Sequence, residues 1–173
     1  MAVYPPVRAG TRLTKEVLTS MQEMFIVKTT STSRSSTATP TDDPELTMSL
    51  LANATYWVEF NLHVGSATAG AFQTLWNTPA SSSCLRGCFG PGDGVTLDGT
   101  AAGDIRSSVH GVATDVEYGD RANDNTFQYM VIERGWIQMT TAGTLALQWS
   151  QASSSGTATI VYSGSYVSLR RLG

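Results

Sequence analysis

Cys84 and Cys88 stand in Ser-Cys-Leu-Arg-Gly-Cys-Phe-Gly, a C-x3-C spacing. A structural zinc site uses C-x2-C or C-x4-C with a second ligand pair downstream, and the only histidines, His63 and His110, stand singly. A redox dithiol needs two intervening residues. The spacing favours two free thiols, while a disulfide closing so short a loop is sterically allowed but strained. Asp42 and Asp43 precede Pro44 and read as turn residues. They become a glycosidase pair only where a second acid faces them across a cleft. Gly90-Pro91-Gly92-Asp93-Gly94 with Asp98 and Asp104 gathers oxygen ligands of the calcium type, but without the EF-hand spacing or its closing glutamate. An incidental loop is the simpler reading. No G-x-S-x-G elbow, H-E-x-x-H pair or phosphate-binding loop occurs. Nothing assembles a nucleophile, a base and an orienting group. The chain reads as a non-enzyme, with no metal and no cofactor.

These residues must be positioned mainly by strands. Leu13, Val17, Met21 and Met24 carry the single helical period, with Thr14 as N-cap and Glu16 in the first turn. Ahead of them Pro5 and Pro6 favour an extended arm. Residues 1–24 therefore read as an arm and short helix. The helix either packs on its own domain or, through Pro5, Pro6, Leu13, Val17 and Met21, docks the chain to another surface. From Phe25 the period is two. Tyr56, Val58, Phe60, Leu62 and Val64 form the clearest strand, which sends Trp57, Glu59, Asn61 and His63 to the opposite face. Leu46, Met48 and Leu50 alternate, as do Leu145, Leu147 and Trp149. Asp42-Asp-Pro-Glu45 reads as a turn, residues 80–105 as loop, and Glu133-Arg-Gly135 as a bulge within a long strand. Residues 25–173 thus read as one domain of roughly eight to ten strands with frequent turn signals, the pattern of an all-β jelly-roll-type sandwich. Trp57, His63 and Trp136 are the candidate surface or interface residues, in a face that oligomer formation would cover.

Composition narrows the partners. Of 173 residues only 14% are charged, the net charge is −3, and Ser and Thr make up about a quarter of the chain. No Lys/Arg cluster offers a footprint for nucleic acid. No apolar run is long enough to span a bilayer, and the N-terminus lacks the charged and apolar regions of a secretory signal.

The stretch Thr39-Pro-Thr-Asp-Asp-Pro-Glu-Leu-Thr-Met-Ser-Leu-Leu-Ala-Asn-Ala-Thr-Tyr-Trp-Val-Glu-Phe60 resembles a block in small virion proteins of tailed phages that infect actinobacteria. The end is similar too: Ala142-Gly-Thr-Leu-Ala-Leu-Gln-Trp-Ser-Gln-Ala152, then Ala158-Thr-Ile-Val161, then Gly164-Ser-Tyr-Val-Ser-Leu-Arg-Arg-Leu172. The start, Val7-Arg-Ala-Gly-Thr-Arg-Leu-Thr14, resembles the opening segment of phage tail and fibre proteins. Residues 80–125 match no such block. The strand pattern is similar to C1q and tumour-necrosis-factor-like jelly rolls, which are homotrimers. The resemblance implies a virion structural protein on the particle surface, as a minor tail or fibre-like component or a capsid decoration protein. It implies a homotrimer; in that reading the N-terminal arm contacts other virion proteins, and the loops over residues 80–105 and 119–125 face outward to a host-surface glycan. A stand-alone carbohydrate-binding module is the rival reading.

Overall fold

The computed structural model describes residues 9–10, 12–20, 22–80, 82–94, 96–97 and 105–172. A short helix, α1 (Lys15–Ser20), is followed by fourteen strands among these residues. They are β1 (Met24–Val27), β2 (Thr32–Arg34), β3 (Thr41–Leu50), β4 (Ala54–Gly65), β5 (Phe72–Asn77), β6 (Ser82–Pro91), β7 (Thr96–Leu97), β8 (Ile105–Gly111), β9 (Val116–Tyr118), β10 (Asp120–Arg121), β11 (Tyr129–Met139), β12 (Gly143–Ser150), β13 (Thr159–Val161) and β14 (Tyr166–Arg171). One sheet runs β1-β14-β4-β11-β6-β8, and the facing sheet runs β3-β12-β5-β9.

Set aside β2, β6, β7, β8, β10 and β13, and eight strands remain. Taken in chain order, the first pairs with the last, the second with the seventh, the third with the sixth and the fourth with the fifth, all antiparallel. The pairings β14–β4 and β12–β5 then complete two four-stranded sheets. This is one long hairpin folded on itself, the nested order of a jelly roll. The hairpin β6–β8 is inserted between the fourth and fifth of these strands and widens one sheet beyond β11.

The core lies between the sheets, and parity puts it there. Tyr56, Val58, Phe60, Leu62 and Val64 all face inward from β4 and are buried. Leu46, Met48 and Leu50 from β3 and Leu145, Leu147 and Trp149 from β12 meet them from the other sheet. The turn into β4 is closed by Asn53 in the left-handed region, a conformation asparagine tolerates well.

Several expectations need correction. Of the helix expected over Leu13–Met24, the structure has only Lys15–Ser20, and Met24 already pairs with Leu169 in β1. Thr14 does cap it, accepting the Val17 N–H. The strand count exceeds the expected range because five of the strands are only two or three residues long.

Asp42-Asp-Pro-Glu45 is not a turn between strands but lies inside β3. The β3–β12 register shifts between Ala146 and Gln148, so Pro44 sits at an irregularity of an edge strand, where no ladder donor is required. Residues 82–91 are a ten-residue strand, not loop; glycine fits there because a Cβ at Gly90 would meet the Tyr118 ring at 2.7 Å. Glu133-Arg-Gly135 makes no bulge. β11 pairs without a break with β4 on one side and β6 on the other. Gly135 is required because a Cβ there would collide with the Leu85 carbonyl.

Candidate functional site

Two buried ionic clusters brace the sandwich. In the first, Glu133 on β11 is fully buried and so is Arg86 on β6. The Arg86 Nη1 lies 2.5 Å from Glu133 Oε2, which also accepts the Trp76 indole N–H at 2.6 Å. The other carboxylate oxygen accepts the Tyr118 hydroxyl at 2.7 Å and the Thr74 hydroxyl. Arg86 spends its remaining donors on the Thr74 hydroxyl oxygen and on the Thr74, Thr114 and Gly111 carbonyls. β5 and β9 belong to one sheet and β6 and β11 to the other, so this cluster ties the sheets together and seats the inserted hairpin. Burial, reinforced by the Glu133 charge, pushes the Tyr118 hydroxyl far above its ordinary pKa, so it stays a donor.

The second cluster stands at the opposite edge. Asp43 and Lys28 are buried, with Nζ 2.8 Å from Oδ1. Asp43 also accepts the Trp149 indole N–H at 3.0 Å and the backbone N–H groups of Glu45 and Leu46. The Arg34 guanidinium lies 3.9 Å over the Trp149 ring. Asp43 is thus occupied in holding β3 and β12 to the strand end that carries Lys28. In both clusters a carboxylate takes the N–H of a core tryptophan, so Trp76 and Trp149 are internal.

The outer faces of the two sheets differ sharply. That of β3-β12-β5-β9 is mostly polar, carrying Thr47, Ser49, Asn77, Glu117, Thr144 and Gln148 around a half-buried Leu75, and none of the exposed large hydrophobics lies on these strands. The outer face of the wider sheet is apolar. One row across it runs Arg170, Trp57, Trp136 and Leu85, by direct register. Trp136 is 44% and Leu85 55% exposed, while Trp57 between its neighbours is half-buried. A second row places Ile132 between Asn61 and Phe89. Met130 stands opposite His63, and on β1 Phe25 packs against Tyr166 with ring centroids 5.9 Å apart. Of the charged residues on this face, Glu59 and Arg134 are register partners of each other, and Arg170 stands exposed beside Trp57. Arg134 also lies 5.0 Å over the Phe89 ring. His63 is half-buried at the margin, where its backbone N–H donates to the Ser165 hydroxyl.

The structure therefore brings Trp57, Trp136 and His63 onto one face. It does not add the N-terminal candidates to it. Leu13 is 58% exposed and Val17 half-buried on α1, and Leu18 is also exposed. Pro5, Pro6 and Met21 lie outside the described residues, as do Asp98 and Asp104.

Cys84 and Cys88 are free and face inward from one strand. Four residues of strand separate them by about 13 Å, beyond disulfide reach. Burial pushes their thiols up, to about 12 for Cys84 and about 11 for Cys88. Among the described residues no three His, Cys, Asp or Glu side chains gather as a metal site.

No family model and no curated protein matches the chain. Among solved structures, "Crystal structure of infectious bursal disease virus VP2 subviral particle" is similar at 9% identity and a TM-score of 0.20, covering 88% of this chain and 37% of that one. "Structure of infectious bursal disease virus Gx strain" is similar at 10% identity and a TM-score of 0.21, covering 86% of this chain and 40% of that one. The chain spans well under half the length of either, and at these TM-scores the likeness carries no argument.

Proposed function

We propose that the chain is a bacteriophage virion structural protein exposed on the particle surface, assembled as a homotrimer through the apolar outer face of its larger sheet. The observation that carries self-association is the contrast between the two outer faces: one mostly polar, the other crossed by Trp57, Trp136 and Leu85 with Met130, Phe25 and Val27 around them. A large apolar surface rimmed by polar residues marks an interaction site. Six strands give a face about 24 Å wide, and the ten residues of β6 run about 33 Å. Their product is close to the roughly 800 Å² that each partner buries in a standard interface.

The virion setting rests on the sequence resemblance of residues 39–60 and 142–172, with a jelly-roll topology in support. Within it we read the chain as a minor tail or fibre-like component, with host attachment through a surface glycan. The alternative placement is a capsid decoration protein that stabilises the head shell. In either place the arm and helix over residues 1–24 anchor the chain to other virion proteins, a role that suits the exposure of Leu13 and Leu18.

The exposed Trp136 beside Trp57, flanked by Glu59, Arg134 and Gln138, favours a second reading, a stand-alone carbohydrate-binding module. Trp136→Glu separates the two. In the assembly it lowers the solution mass; in a glycan module it leaves the mass unchanged and removes binding on a glycan array.

A further inference from the structure

The edges of the two sheets are not equally protected. β3 carries Asp42, Asp43 and Pro44 and a register shift against β12. β9 is three residues long and β1 four. Short strands, proline, charge and irregular register are the usual defences of a free edge against another strand. β8 has no proline, no irregular register and no such shortness, and its one charged residue, Arg106, lies on the face opposite Ile105 and Val109. It runs seven residues, Ile105-Arg-Ser-Ser-Val-His-Gly111, in unbroken register with β6, which is its one partner strand among the described residues. Its outward side chains are Ile105, Ser107 and Val109, and Ile105 and Val109 are the two most exposed large hydrophobics described, at 74% and 68%. It closes an inserted hairpin that the eight-stranded jelly roll does not need.

We propose that β8 pairs antiparallel with β8 of a second copy about a two-fold axis at Ser107. An open edge displays backbone N–H and C=O groups, so its ligand is an extended strand. The side chains select which strand. With the axis at Ser107, Ile105 stands across from Val109 twice, on the outward face, and Arg106 across from Ser108 twice, on the other. The apolar pairs are the cross-strand contacts that stabilise sheets, and neither arginine faces its own copy. Shifting the axis to Ser108 sets Ile105 against Gly111 and Val109 against Ser107, and both apolar pairs are lost. The sequence is thus its own complement under a two-fold axis, the requirement of an isologous contact. The edge lies in the plane of the sheet, so this pairing leaves the Trp57–Trp136 face free. It links copies in a second direction, beyond the trimer.

The test is cysteine cross-linking in the full chain, where the native Cys84 and Cys88 face the interior. Under mild oxidation Ser107→Cys is expected to give a reductant-sensitive dimer on a denaturing gel, because residues facing each other across antiparallel strands have Cα atoms about 4.5–5.5 Å apart. Ile105→Cys is the control: its two copies would lie four positions apart, about 13 Å, too far to bridge. We expect at least a ten-fold higher cross-linked fraction for Ser107→Cys, and its loss when Val109→Lys is added. No cross-link at position 107, equal cross-linking at 105 and 107, or indifference to Val109→Lys overturns the pairing. If light scattering still finds an oligomer of the uncross-linked chain, the edge contact alone has failed and the face-mediated assembly stands.

Discussion

Removing the charge of Glu133 while keeping its shape is the sharpest test of how the sandwich is held. In Glu133→Gln the amide oxygen still accepts from Arg86 and Trp76. The amide nitrogen donates to the Thr74 and Tyr118 hydroxyls, both able to accept. Both hydroxyls must then turn from donors to acceptors, so their O–H groups lose the carboxylate, and Arg86, fully buried, loses its counter-charge. Breaking a buried pair from one side costs about 3–5 kcal/mol. In a chain of this length each kcal/mol moves the melting temperature by about 2–4 °C, so a fall of roughly 6–20 °C is expected. Arg86→Met is expected to cost as much, since it strands the carboxylate and frees the Thr74 and Thr114 carbonyls. The double variant leaves no buried charge in this cluster, so its cost falls short of the sum by about 0.5–3 kcal/mol. The assay is urea unfolding followed by tryptophan fluorescence, at one fixed protomer concentration because association shifts apparent stability. Additive costs, or a Glu133→Gln protein as stable as the parent, refute the reasoning.

Leu62→Asp places an unpaired carboxylate at a fully buried position of β4. Its cost of several kcal/mol or more, against a total near 5–15 kcal/mol, predicts no folded protein by circular dichroism; a folded product means the strand's faces are reversed. Alkylation at pH 8 should label Cys84 and Cys88 slowly in the native protein and rapidly in urea, because burial holds both thiols protonated; fast native labelling contradicts their placement. Glu45, held at about 2 by the Thr29 hydroxyl and backbone N–H and by the Thr30 N–H, is depressed from its ordinary value of 4.5. A depressed carboxylate stabilises above its unfolded pKa, so the advantage of the parent over Glu45→Gln should hold at neutral pH and shrink between pH 4.5 and about 2. A difference independent of pH there contradicts the assignment.

Much of the fold was legible because period-two alternation is a direct readout of which face is buried. It placed β4, β12, the Leu46–Leu50 part of β3 and the outward position of Trp57 and His63. Local turn chemistry misled where tertiary contacts overrode it. Asp43 looks like a turn residue from its neighbours, yet Lys28 and Trp149, distant in sequence, draw it into the core. The glycines of residues 82–91 signal loop until the Tyr118 ring that fills the space above Gly90 is known. The signal for the Glu133–Arg86 cluster was present but unused. Glu133 has the parity of Val131 and Ile137, so an unbroken strand must bury it, and a buried carboxylate needs a cation. The unprotected edge of β8 was not legible, since strand order emerges only from the pairing.

The most direct measurement of the central claim is the solution mass of the parent chain and of Trp136→Glu by light scattering on a sizing column. The parent is expected at three times 18.5 kDa, about 55 kDa, or a whole multiple of that where β8 edges pair, and the variant well below it. A parent chain that runs at 18.5 kDa, or a Trp136→Glu protein with unchanged mass, contradicts assembly through the apolar face.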